Sequence, residues 1–398
     1  MKKSKENLIE KKSTTTRPAV RQAGKGKGGK DMVDVVIIGG GPAGVSAGTV
    51  LQRKGYKTCI IDTQIFPREK LCAGVLTVKS IKLIQYIYKN LNFGDMDMRD
   101  IHKVELLYNG KIIGKYTVDN AYRVINRTEF DNELLKYYKS VGGMVFEGQK
   151  DYEIVYDKNV VVLSDGKKIS YRVLIGADGI NSKVRSYVGR SWKASVLCFE
   201  KFIPNLSDED TIKIDFSGIL GGYSWRIPGK DRIGVGLGEF YIRGMKKRPV
   251  RYKKIFESQG ISDINNIKGA FVSFGNFVRE PVKNNVLLVG DAAGLVDAMT
   301  GEGIYFAVES GWQASLAIID YFKRNVPLIT YIRRIEKIHK KMREQRVYNK
   351  FLYIPIFQWI SLEHFRENPE FVQSVLDDSI STYHMGYTKE IRRNKKFK

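Results

Sequence analysis

The 398-residue chain predicts an α/β fold: a parallel-sheet domain built from separated blocks, a sheet-rich second domain threaded between them, and a helical C-terminus. Three observations predict it. Short apolar runs at 34–38, 58–61, 171–175 and 286–290 have the length and continuity of strands buried on both faces. The first and last of these lead into glycine-containing turns followed by helical patterns. Residues 195–240 instead read as successive strands, with glycines alternating at 234, 236 and 238. Composition agrees, because 43% hydrophobic residues over this length supply two cores.

Taken in order, the strand Asp34–Ile38 ends in Gly39-Gly40-Gly41-Pro42-Ala43-Gly44 and enters a small-residue helix. This is G-x-G-x-x-G in strand–turn–helix context. Gly39 permits the tight turn, Gly41 lets backbone approach a pyrophosphate, and Gly44 lets helix and strand pack closely. The N-terminus of the helix then faces the phosphates. The second strand, Thr58–Ile61, ends in Asp62, 18 residues after Gly44, where a carboxylate binds a ribose hydroxyl. A loop at 66–74 precedes a helix near 77–91. A hairpin over 103–118 turns at Asn109-Gly110. Arg127 opens an amphipathic helix to about Val141, and strands at 152–156 and 160–164 flank a Lys158-Asn159 turn. The strand at 171–175 runs into Gly176-Ala177-Asp178-Gly179, and the strand at 286–290 into Asp291-Ala292-Ala293-Gly294. A long helix follows from about Glu302 to Lys323, and the last seventy residues read as helical.

The formal charge is +24. Half of the excess lies in two end segments, 1–31 and 387–398, so solvated basic surface is the expectation. No nucleic-acid recognition motif accompanies it. Residues 1–31 are polar and basic and read as a disordered extension. No apolar run reaches the length of a membrane span, and no secretory signal is present. Cys59, Cys72 and Cys198 form neither a disulfide framework nor metal-ligand spacing, so the expected setting is reducing and cytoplasmic, with no metal. His102, His339, His364 and His384 lie outside every motif. The segment 351–360 is apolar and aromatic beside upstream basic residues, a pattern suited equally to a peripheral contact with a membrane surface and to a C-terminal helix packed on the domains.

Three signatures in order resemble the FAD-binding flavoprotein hydroxylase superfamily: the glycine turn, Ala177-Asp178-Gly179 with Ser182 and Arg185, and Gly290-Asp291-Ala292-Ala293. The sequence is more closely similar to the geranylgeranyl reductase branch. Phe66-Pro67-Arg68-Glu69-Lys70-Leu71-Cys72-Ala73-Gly74 resembles that branch's P-R-x-K-x-C-[GA]-G loop. Tyr223-Ser224-Trp225-Arg226-Ile227-Pro228 resembles its Y-x-W-x-F-P motif, with Ile227 replacing Phe. Thr300-Gly301-Glu302-Gly303-Ile304 resembles its T-G-E-G-I segment. Val75 and Asp297-Ala298 depart from the branch pattern beside the flavin and bear on the substrate.

The resemblance implies FAD as cofactor. Gly39, Gly41, Gly44, Asp62, Arg68, Arg127, Asp178, Asp291, Gly301 and Gly303 then stand as cofactor-binding residues. Arg127 is placed near the adenine–ribose side, Asp178 between FAD and nicotinamide nucleotide, and Asp291 on the flavin ribityl chain. The backbone N–H groups of Gly301 and Gly303 are placed at the flavin N1/C2 edge, a catalytic position because negative charge there favours reduced flavin. Cys72 is placed near the reactive flavin face, with Arg68 and Lys70 as the charges that activate it. Tyr223 and Trp225 are placed along an apolar substrate tunnel.

The expected organisation is an FAD-binding domain from 32–100, 121–190 and 277–330. A substrate domain comes from 101–120 and 191–276, and a C-terminal helical segment from 331–398. The expected activity is reduction of carbon–carbon double bonds in an isoprenoid or other apolar chain, with NADPH or ferredoxin as electron donor. A flavin monooxygenase or halogenase, or an electron-transfer flavoprotein, is the alternative on the same scaffold.

Overall fold

The structure is a computed structural model. It describes residues 32–381 apart from 90, 92–95, 190–195, 220–221, 241–248, 274–275, 298–299 and 354. The basic extension 1–31 and the charged end segment lie outside the described residues.

The chain opens with β1 (Met32–Ile38), α1 (Pro42–Arg53), β2 (Thr58–Ile61), β3 (Val75–Leu76) and α2 (Val78–Ile87). There follow β4 (Met98–Tyr108), β5 (Lys111–Ile125), α3 (Arg127–Ser140), β6 (Met144–Phe146), β7 (Glu153–Val155), β8 (Val160–Val162), β9 (Lys168–Gly176) and α4 (Lys183–Val188). The sheet-rich stretch is β10 (Val196–Pro204), β11 (Thr211–Asp215), β12 (Gly222–Pro228) and β13 (Arg232–Phe240), then α5 (Pro249–Ser258) and β14 (Lys268–Val272). The chain closes with β15 (Val282–Lys283), β16 (Val286–Leu288), α6 (Ile304–Arg324), α7 (Tyr331–Arg334), α8 (Glu336–Tyr353), α9 (Pro355–Glu367) and α10 (Pro369–Ser381).

Two eight-stranded sheets result. The first has the core order β15-β16-β9-β1-β2-β6, and its strands from β16 to β6 run parallel. β1 lies between β2 and β9, so Val35 to Ile38 have no exposed face and are all apolar. This places Gly39 at the carboxyl end of a central strand, where open α/β sheets bind ligands. Helix α1 packs on the sheet and α6 packs on α1, and Trp312, Ala314, Ala317 and Ile318 of α6 join the same core.

The second sheet has the order β14-β10-β13-β12-β11-β4-β5-β3 and is antiparallel except for β11 beside β4. The β4–β5 hairpin turns at Asn109-Gly110, both in the left-handed region, as expected for an Asn-Gly turn. It runs from 98 to 125, longer than the expected 103–118, because Tyr122 and Val124 continue the inward alternation beyond Val118. The C-terminal helices cover part of this sheet. Leu362 of α9 and Val372 of α10 are buried in the core containing Val118, Tyr122 and Val124. Tyr122 also donates its hydroxyl to the Leu376 carbonyl. Among the described residues no helix is long and apolar enough to cross a membrane.

Candidate functional site

The three motif glycines have different reasons to be glycine. Gly39 sits at φ +107, and a Cβ there would lie 2.3 Å from the Ala177 carbonyl oxygen. A Cβ on Gly44 would lie 2.1 Å from the Gly39 carbonyl oxygen. The protein's own packing demands those two. Gly41 differs: a Cβ there would meet only Arg68 Nη2, at 3.6 Å. Gly41 is also the N-cap of α1, and neither a capping side chain nor an acidic residue satisfies the first turn. Open N–H groups, the positive end of a 12-residue helix and a guanidinium therefore face one space. The donor set fits a diphosphate. Asp62, at the end of β2, accepts the Gly40 N–H on Oδ2 at 2.6 Å and the Gln64 N–H on Oδ1 at 2.8 Å. Each oxygen retains a lone pair, so the carboxylate is held against the glycine turn and still fits a ribose hydroxyl.

Arg68 does not act alone. Its Nη2 lies 3.2 Å from Asp131 Oδ2, and its guanidinium stacks over Phe66 at 4.7 Å. Asp131 also takes a two-pronged bond from Arg127 Nε and Nη2, both at 2.8 Å. Asp131 and Arg127 face each other because they are one turn apart on α3. Burial works against the Arg127 charge, but Asp131 and the Cys72 sulfur outweigh it and hold its pKa above the ordinary value. Arg127 thus lies beside the Cys72 loop with its guanidinium already paired to Asp131. The positive charge beside that sulfur is Arg127, whereas Arg68 is engaged by Asp131. Cys72 is half-buried, and the Gly74 N–H points at its sulfur at 3.4 Å.

Asp178 is spent on the chain itself. Its carboxylate accepts Ser182 Oγ at 2.5 Å and the N–H groups of Lys183 and Val184, closing the entrance to α4. Burial nonetheless pushes its pKa up. These bonds leave little of the carboxylate for the expected bridging role. The exposed backbone of the motif is Gly179, at φ +75, where a Cβ would meet nothing within 4 Å. Asp291 contrasts with it. Its carboxylate takes no hydrogen bond from a protein donor among the described residues, and a Cβ on Gly303 would lie 3.7 Å from its Oδ1. Arg185 binds the backbone carbonyls of Asp291 and Ala292 and fixes this turn. A half-buried carboxylate with free acceptors beside Gly303 fits a polyol chain.

The segment before α6 divides the two glycines expected to act together. Gly301, at φ +73, donates its N–H to the Asp297 carbonyl at 3.1 Å, while the Asp297 carboxylate accepts the Thr300 N–H. Gly301 is therefore a turn residue with its amide already used, which corrects its expected donor role. Gly303 is the N-cap of the 21-residue α6, and its N–H has no backbone acceptor among the described residues. The amide and the helix dipole favour negative charge at this point. Behind it, Glu302 is ion-paired to Lys79 and accepts bonds from Thr77 and Ser80 of α2's first turn. Asp131 and Thr77 belong to no sequence motif, and Glu302 stands in the T-G-E-G-I segment with no role assigned to it. An acid four residues after Arg127 was the one available signal for Asp131.

The second sheet closes the site. The Tyr223 hydroxyl donates to the Thr300 carbonyl at 3.1 Å, so β12 touches the Gly301–Gly303 segment directly. The Tyr223 and Trp225 rings lie 5.9 Å apart on one face of that strand, and Trp225 Nε1 donates to Glu200 of β10 at 3.0 Å. No histidine among the described residues joins them. His339 is stacked on Phe277, and burial pushes its pKa down to about 4. His102 binds the Val118 carbonyl, and His384 lies outside the described residues.

Exchanging Arg68 for glutamine removes the positive charge above Gly41 while keeping a donor. FAD affinity should fall roughly tenfold or more, since hydrogen bonds to charged groups contribute about 1.5–3 kcal/mol. Titration of the apoprotein with FAD, followed by flavin fluorescence, checks this.

Comparison with known proteins shows the family. Residues 32–201 match the FAD binding domain family. The chain is 30% identical over 310 residues to digeranylgeranylglycerophospholipid reductase of Methanocaldococcus jannaschii, covering 71% of this chain and 75% of that protein. It is 24% identical to menaquinone reductase of Mycobacterium tuberculosis, over 71% of this chain and 75% of that one. The crystal structure of a geranylgeranyl bacteriochlorophyll reductase-like protein from Thermoplasma acidophilum superposes with a TM-score of 0.66 at 18% identity, covering 88% of this chain and 94% of that one. The chain belongs to the geranylgeranyl reductase branch of the FAD-dependent, hydroxylase-like oxidoreductases.

Proposed function

We propose that the protein saturates carbon–carbon double bonds of an isoprenoid chain, free or lipid-linked. The observation that carries this reading is the Tyr223–Thr300 hydrogen bond. It sets an aromatic and sulfur-lined face, with Tyr223, Trp225 and Cys198, against the segment that ends in Gly303. Bound FAD supplies the hydride. Tyr223 and Trp225 bind the apolar chain and exclude water, which an unactivated alkene requires. Gly303 and the α6 dipole favour the reduced cofactor, and Cys72, with Arg127 at its sulfur, stands at the reacting face. Relatives named for a digeranylgeranylglycerophospholipid and for menaquinone support an apolar substrate.

The test is anaerobic mixing of dithionite-reduced protein with geranylgeranyl diphosphate, a digeranylgeranylglycerol lipid or menaquinone. Flavin absorbance should recover with at least one of them, and failure with all three would remove the isoprenoid reading. The same reduced state, reached with NADPH or with reduced ferredoxin, identifies the donor.

An isoprenoid lipid is collected from a membrane surface, and the reading extends to a peripheral contact through α9 and α10. Trp359, Ile360 and Phe371 are exposed there, at 56%, 53% and 44%. Phe357 lies among the residues whose side chains are outside the described set. Vesicles of anionic lipid should sediment the protein at low salt and release it at high salt. Trp359→Ala should weaken this binding without loss of FAD.

A further inference from the structure

β13 carries glycine at every second position, Gly234, Gly236 and Gly238. The register sets Gly234 between Phe202 and Ile227, Gly236 between Glu200 and Trp225, and Gly238 between Cys198 and Tyr223. Residues directly opposite in antiparallel strands share a face. A bare strip of backbone therefore separates the row from β10 and the row from β12. The Trp225 indole fills that strip: a Cβ on Gly236 would lie 2.4 Å from its Cζ2. Lying across β13, the ring reaches Glu200, whose Oε1 accepts the Nε1–H at 3.0 Å.

Glu200 is 2% exposed, yet nothing in the proposed reaction uses it so far. The groups facing it come from four elements. Trp225 is on β12, Arg232 on β13, the Cys72 backbone N–H on the loop after β2, and Cys198 on its own strand. The Cys72 sulfur lies within electrostatic reach of Cys198 and of Arg127 on α3. Lys268 stands opposite Glu200 on β14, but it is largely exposed and ion-paired to Glu69. Burial dominates this balance and pushes the Glu200 carboxyl up to about 7, against the Trp225 bond, Arg232 and the Cys72 amide. Burial also pushes the Cys198 thiol up to about 12, so Cys198 stays neutral.

We propose that Glu200 is the proton reservoir of the reaction and acts through Cys72. The inference rests on the alkene-reductase reading. Saturating a double bond adds a hydride to one carbon and a proton to the other. The Cys72 S–H bond breaks as the second C–H bond forms, and the thiolate is left against Arg127. The Glu200 O–H bond then breaks to restore the thiol, and the carboxylate regains its proton from solvent. The electron pair comes with the hydride from reduced FAD, so atoms and charge balance.

A donor of this kind works below its pKa and fails above it. Anaerobic single-turnover oxidation of the reduced holoenzyme by geranylgeranyl diphosphate should slow as pH rises through about 7. In Glu200→Gln the reaction should be roughly a hundredfold slower, and that inflection should be absent, with FAD content unchanged. Infrared difference spectra of the substrate-free protein should show a protonated-carboxyl band that disappears over the same range and is missing in Glu200→Gln. Trp225→Phe keeps an aromatic ring but removes the donor that lowers the Glu200 pKa, so both midpoints should move upward. Identical rate–pH profiles in wild type and Glu200→Gln overturn the proposal. If Glu200→Gln fails to fold, Trp225→Phe decides: a raised midpoint supports the role and an unmoved one overturns it. A protein that shows the carboxyl titration but saturates no alkene overturns the substrate reading and the proton route together. Normal alkene reduction with no carboxyl titration overturns the route alone.

Discussion

Gly41→Asp should give a folded, colourless protein. The geometry allows the fold to survive, because the new Cβ has only the tip of Arg68 within 4 Å, at 3.6 Å, and Arg68 is a flexible side chain. Gly41 itself sits at φ −77, where any residue is comfortable. The carboxylate, however, would occupy the space in front of the first turn of α1 and pair with Arg68. A diphosphate approaching the same N–H groups would meet a fixed negative charge. Loss of several charge-assisted bonds, at about 1.5–3 kcal/mol each, should abolish FAD retention through purification. Flavin absorbance per chain and a melting curve measured on one sample check both halves. Gly44→Ala should do the opposite and damage the fold, since its Cβ would collide with the Gly39 carbonyl, a backbone atom unable to move aside. Full flavin content in Gly41→Asp would show that the open space above α1 holds no diphosphate.

Asp131→Ala is expected to have the largest effect on stability. The Asp131 side chain is fully buried and that of Arg127 is 7% exposed. Removing the acid takes away both hydrogen bonds that the buried Arg127 guanidinium makes among the described residues, and breaking a buried pair costs about 3–5 kcal/mol. Arg68 loses its anchor at the same time, so FAD affinity should fall with stability. Urea denaturation of wild type and variant, with and without added FAD, separates the two losses. A stability change below about 1 kcal/mol, the range of an exposed ion pair, would mean that the Arg68–Asp131–Arg127 cluster is not what holds the Cys72 loop over the glycine turn.

The parallel sheet was legible because its determinants are local. An apolar strand, a glycine turn and a terminal acid lie within thirty residues and need no distant partner to be read. Asp291 was singled out only through the resemblance of Gly290-Asp291-Ala292-Ala293 to the family motif. Three other features depend on contacts that spacing does not reveal. Asp178 reads as a ligand by its motif, but Ser182 and the first amides of α4 take its oxygens. Gly301 and Gly303 look equivalent in T-G-E-G-I, yet the Asp297 carbonyl captures only the first amide. Glu200 stands in a Phe-Glu-Lys run that reads as an ordinary strand. Its burial follows from the glycines of β13 and from a tryptophan that crosses them. Only the three-strand register brings those together.

The central claim is that electrons pass from reduced FAD to an isoprenoid double bond without oxygen chemistry. The most direct measurement is the mass of the lipid product from a single turnover, run once without oxygen and once under heavy-isotope oxygen gas. The expected result is two added hydrogens for each double bond reduced, an identical product in both runs, and no labelled oxygen. Product that forms only with oxygen and carries the label would contradict it and make the protein a monooxygenase.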